Sequence, residues 1–170
     1  CIRCAWFKVH KPLAYYATYF TLRCDGYDIK TMMKGMEASF KKRNEILTRV
    51  QNHEPVSNPE LATINALEST VEMYDRGYSF APLNVMTSQA TQFSIDEKKN
   101  QVIPALTSIN GLGESVALQI IKARNEHPFT SVNDLMERAH VGQTMIEKLR
   151  SVNALDGLPD DDQMTLFDML

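Results

Sequence analysis

Gly111-Leu112-Gly113, followed at once by Glu114-Ser115 and a stretch of helical periodicity, is the segment whose residue types point most directly to a ligand. Gly111 and Gly113 can take backbone angles closed to other residues, and they leave no side chain to obstruct a close approach. The first amides of the following helix point outward with the positive end of its dipole, which suits a phosphate group. Lys122, further along that helix, is a candidate cation for the same site. A Walker loop needs Gly-Lys-Ser/Thr, and a dinucleotide fingerprint needs a third glycine and a preceding strand, so neither nucleotide-binding pattern is met. A turn of this kind grips a backbone phosphate without reading a base. The alternative is a helical bundle with two glycine turns and no ligand, in which Lys122 and Arg124 are ordinary solvated residues.

Two other groupings could do chemistry. Cys1 and Cys4 have C-x-x-C spacing with His10 and Cys24 nearby, but no second pair has the spacing of a zinc knuckle. The expectation is therefore two small apolar side chains on one helix face, reduced thiols and no metal. After Leu158 the chain runs through an acidic stretch, Pro159 to Asp162, that is expected not to pack. It then reaches Gln163-Met164-Thr165-Leu166-Phe167, where an exposed Leu-Phe pair needs a partner or folds back on its own domain.

The elements around these groups read as mainly α with a small β-hairpin. Pro12 suits the first turn of a helix carrying Leu13, Tyr16, Ala17 and Phe20. Asp28 is a candidate N-cap for one long helix to about His53, whose outer face holds Lys30, Lys34, Lys41, Lys42, Arg43 and Arg49. That face is either solvated or able to steer a phosphate backbone. Asn58 and Pro59 open a further helix that Gly77 closes. Phe93, Ile95, Val102 and Ile103 flank the polar run 96–101, as in a short hairpin. Beyond the glycine turn, Ser131 is a candidate N-cap, and Val141-Gly142 leads into a last helix with Met145, Ile146 and Leu149.

The chain has 170 residues, 44% of them apolar, and a formal net charge of −3. Residues 159–170 hold four acids and no base, which leaves 18 basic against 17 acidic residues in the remainder. Any affinity for nucleic acid must then come from local patches and oriented amides, not from a global field. No apolar run reaches the roughly 18 to 20 residues that span a bilayer, and no signal peptide opens the chain, so no membrane contact and a cytoplasmic location are expected. Cys1 stands within a helical pattern where a Met would begin a whole protein, and the chain reads as a fragment.

Ile109-Asn110-Gly111-Leu112-Gly113 with Ala117, then Phe129-x-Ser131-x-x-Asp134-Leu135, resembles the tandem helix-hairpin-helix pattern of DNA repair and replication proteins. Gln163-Met164-Thr165-Leu166-Phe167 resembles the bacterial sliding-clamp-binding pentapeptide Gln-x-x-Leu-Phe. In this order, and with Ala5-Trp6-Phe7-Lys8-Val9-His10-Lys11-Pro12 and Ser88-Gln89-Ala90-Thr91-x-Phe93, the whole chain resembles the PolC-type DNA polymerase III alpha family. The resemblance implies a helical end of the fingers over residues 1–80, a tandem helix-hairpin-helix duplex-binding domain over 81–158 and a flexible clamp-binding tail over 159–170. It implies sequence-independent contact with duplex DNA at Gly111, Leu112, Gly113, Glu114, Ser115 and Lys122, and sliding-clamp contact through Gln163 to Phe167. The family's catalytic carboxylates and their magnesium ions would lie in a palm domain upstream, so no catalytic residue and no cofactor are expected here. Asp25, Asp28 and Asp75 are expected to be caps and solvated charges. Two positions depart from the family pattern: Asn84 stands where an acid is expected and Asn153 where a glycine more often closes the last helix. A free-standing helix-hairpin-helix protein of DNA repair or uptake, and an interaction scaffold without DNA contact, are the competing readings.

Overall fold

The computed structural model describes residues 2–161. Helices α1 (Ile2–His10) and α2 (Pro12–Arg23) are separated by Lys11, with Pro12 in the first turn of α2 as its fixed φ favours. The expected long helix is two: α3 (Ile29–Met33) and α4 (Met36–Gln51), broken at Gly35, whose φ of 112° lies outside the helical region. Asp28 does cap α3, accepting the Thr31 amide at 3.2 Å. The break is held in place by Ser39, whose buried hydroxyl donates to Gly35 O at 2.9 Å, and by the Tyr74 hydroxyl, which donates to Met32 O at 3.2 Å.

Helix α5 (Asn58–Asp75) starts one residue earlier than the spacing suggested. Ser57, not Asn58, is its N-cap, in a reciprocal capping box with Glu60. Gly77, at φ 84°, follows its end. The hairpin is present as β2 (Ser94–Asp96) and β3 (Gln101–Ile103), antiparallel, with Ile95 opposite Val102. A short strand absent from the sequence reading, β1 (Ser79–Phe80), pairs in parallel with β3. Two residues carry too little pattern to register as a strand.

Two apolar cores result. The first holds Tyr16 and Phe20 of α2, Ile46 of α4, Leu67 of α5, Phe80 and Val102 from the sheet, and Phe93 just before β2. β1 and the residue leading into β2 thus close over the N-terminal helices: Phe20 lies 5.3 Å from Phe80 and 5.4 Å from Phe93, ring centre to ring centre. The second core takes Leu83, Val85 and Leu106 together with the last three helices, α6 (Glu114–Glu126), α7 (Val132–Ala139) and α8 (Gln143–Ser151).

Residues 159–161 stay exposed, as an acidic stretch should, yet they are tied to α7 and α8 by hydrogen bonds. Pro159 O and Asp160 O accept the amides of Val132 and Asn133 at 2.8 and 3.2 Å, Asp160 pairs with Arg150, and Asp161 accepts from the Asn133 side chain. The free amides and dipole of α7 attract oxygens and negative charge, which a count of apolar residues does not register. Gln163 to Phe167 lie outside the described residues.

Candidate nucleic-acid interface

A 3-10 turn, Leu106–Ser108, brings the chain into the first hairpin. Gly111 sits at φ 82°, in the left-handed region, whereas Gly113 sits at φ −74° and ψ 160°, angles open to any residue. Only Gly111 is therefore required by backbone conformation. A β-carbon on Gly113 would meet nothing within 4 Å, so what its absence secures is open space in front of α6.

Between the two glycines Leu112 turns inward and is buried, and its amide donates to Ile109 O at 3.0 Å. It offers a ligand neither its side chain nor its amide; its part is to anchor the turn. Gly113 is the N-cap of α6 with no side-chain cap, and the first amide bonded within the helix is that of Ala117, to Gly113 O. Among the described residues the amides of Gly113, Glu114 and Ser115 have no acceptor, and all three residues are exposed. Helix α7, by contrast, is capped by the buried Ser131, which accepts the Asp134 amide at 3.0 Å.

Lys122 is exposed on α6, eight residues beyond Glu114 and so about 12 Å along the axis. It cannot touch the same phosphate as the first-turn amides. Arg124 is not solvated: it donates to Val85 O and Ser88 O at 2.9 and 2.8 Å, and burial holds its guanidinium pKa below the usual value. Ser88 belongs to the Ser88-Gln89-Ala90-Thr91 block, whose next two carbonyls accept Leu106 N and Thr107 N at 2.9 and 3.0 Å. The block fixes both the approach to the hairpin and, through Arg124, the helix that leaves it. The sequence marked the block but not its bearing on the turn.

The second hairpin repeats the first in backbone form. His140 takes the left-handed position at φ 52°, Val141 is buried as Leu112 is, and Gly142 caps α8 at φ −76° and ψ 161° with no side-chain cap. Only one glycine is visible because a histidine occupies the other's conformation. Both departures from the family pattern are accommodated. The Asn84 amide accepts from Met86 N at 2.8 Å and donates to Asp156 O at 3.0 Å, a pairing that a carboxylate could not complete. Asn153 stands at φ 58°, which asparagine tolerates better than most residues.

No three His, Cys, Asp or Glu side chains converge as a metal site among the described residues. Burial, with Asp25 nearby, pushes the Cys24 thiol up to about 12, so it stays protonated and is a poor ligand. Asp28 is a cap, as expected. No helix among the described residues is long and apolar enough to cross a membrane.

Two uncapped helix starts, each behind an inward-turned apolar residue, define the helix-hairpin-helix class, and the helix-hairpin-helix motif family matches residues 77–164. The chain belongs to that family. Over 99% of its length it is 41% identical to the PolC-type DNA polymerase III of Streptococcus pneumoniae serotype 2 (strain D39 / NCTC 7466). It is 43% identical over 98% of its length to that of Bacillus subtilis (strain 168), and 38% identical over 96% to that of Ureaplasma parvum serovar 3. It spans 11 to 12% of the length of these relatives, so the likeness to PolC-type polymerases is to one segment of them.

Proposed function

We propose that the chain is a duplex-holding segment of a replicative DNA polymerase, acting in the cytoplasm. It grips the phosphate backbone through the amides of Gly113, Glu114 and Ser115 and carries a clamp-binding run at Gln163 to Phe167. The uncapped start of α6, with open space in front of Gly113, carries the reading. Charged hydrogen bonds from such amides contribute about 1.5 to 3 kcal/mol each. The likeness to PolC-type polymerases over almost the whole chain favours this over a free-standing repair or uptake protein. Trp6, Phe7 and Val9, 52%, 49% and 65% exposed on α1, suit a surface that a longer polymerase covers. Nucleotide addition, with its magnesium ions, is assigned to other parts of such a polymerase.

Two duplexes of unrelated sequence should bind the chain with affinities within about threefold, both falling steeply with salt, in filter or fluorescence titrations. A strong sequence preference, or salt-independent binding, contradicts backbone recognition. For the tail, replacing Gln163, Leu166 and Phe167 together by Ala should abolish binding to a bacterial sliding clamp by calorimetry. Retained affinity removes the clamp assignment.

A further inference from the structure

A cleft of about 930 Å³ separates the two cores, and the turn at Gly111 forms part of its wall. Lys30 of α3 and Lys42 of α4 line it from the N-terminal side, and Lys148 of α8 from the other. Lys148 belongs to the helix of the second hairpin, yet its ammonium lies against Gly111, in space that a β-carbon would occupy. Glycine at 111 supplies the left-handed turn, and the ammonium from another helix settles in the space beside it.

The charges around this cleft are unevenly satisfied. Lys148, which is half-buried, and Lys30 have no carboxylate partner among the described residues, and Lys42 has only Glu45, at 3.4 Å. Three carboxylates also line the space. That of Asp28 accepts the Thr31 amide and hydroxyl, and that of Glu60 is taken up by Ser57 and by Arg49 at 2.8 Å. Asp25 is the remaining one. An ammonium partly withdrawn from water without a counter-ion favours an anionic ligand, and this cleft continues from a turn built to hold one.

We propose that the cleft carries the phosphate backbone of a nucleic-acid strand onward from the first hairpin, Lys148 meeting the phosphate at Gly111 and Lys30 and Lys42 those that follow. This rests on the backbone-binding reading of the hairpin and extends it to the N-terminal core. Nucleic acid then touches both cores, and the lysine of the second hairpin's helix serves the first hairpin.

The test titrates the 170-residue chain with duplex DNA over a range of salt, alongside Lys148→Gln, Lys148→Arg, Lys30→Gln, Gly113→Val and, at the distant hairpin tip, Lys99→Gln. Circular-dichroism melting establishes that each variant is folded. Each cleft Gln variant should lower the slope of log K against log salt by about 0.9 and weaken binding several-fold, with Lys148→Arg restored. Lys99→Gln should leave the slope unchanged. Wild-type slopes for both cleft variants, with Gly113→Val still impaired, overturn the cleft and leave the hairpin standing. An equal loss in Lys99→Gln overturns it as a general charge effect, and no binding by the unaltered chain overturns both readings.

Discussion

Gly111 and Gly113 look equivalent in the sequence, and the structure gives them different work. Gly111 is fixed by its backbone angle and has the Lys148 ammonium beside it, while Gly113 keeps ordinary angles and a clear front. The sequence marked the turn because Gly111-Leu112-Gly113 is followed by Phe129-x-Ser131-x-x-Asp134-Leu135, a pairing that the glycines alone do not supply. It could not separate their roles, since neither φ nor a lysine 37 residues away is local information. His140 shows the converse: a non-glycine at φ 52° lets the second hairpin keep the backbone of the first with only one glycine in its sequence. Left-handed angles cost an L-residue roughly 1 to 2 kcal/mol, so His140→Gly should raise stability to urea by up to about 1 kcal/mol once the added chain entropy is set against it. Destabilisation instead would mean that the imidazole makes a contact outweighing the strain.

At the scale of elements, helix existence was legible from apolar spacing, and helix boundaries were decided by side-chain caps and one glycine. The α3–α4 break escaped because apolar residues recur on both sides of Gly35, so the stripe reads through it. The shift of the α5 cap from Asn58 to Ser57 follows from Glu60, which stands three residues after Ser57 and completes the box. Hydrogen bonds from the Ser57 amide, then the Arg49 side chain and the Ser57 hydroxyl, hold the Glu60 carboxyl down at about 2. A depressed carboxylate stabilises the fold above its unfolded pKa of about 4.3 and loses that contribution as pH falls toward 2. Glu60→Gln, which can still cap, should therefore melt below the unaltered chain at pH 7, with the gap closing between about pH 4.5 and 2. A gap that stays constant over that range would show that shape, and not charge, is what Glu60 supplies.

Among the described residues two cores face each other across a cleft, with the small sheet closing over the first and residues 159–161 tied to α7 and α8. The tandem pattern and the helical class were legible because they repeat local signals. The cleft and the anchoring of Pro159 to Asp161 were not, because they depend on residues far apart in sequence coming together. With a near-neutral body, affinity for DNA comes from local contacts and not from a global field. The most direct measurement is the salt dependence of duplex binding by the chain and by Gly113→Val, whose β-carbon would meet nothing within 4 Å and stand in front of α6. The variant should stay folded, losing no more than about 1 kcal/mol of stability at the α6 cap, and bind about tenfold more weakly. Equal affinity in a fully folded Gly113→Val would contradict the assignment of the first hairpin as the phosphate grip.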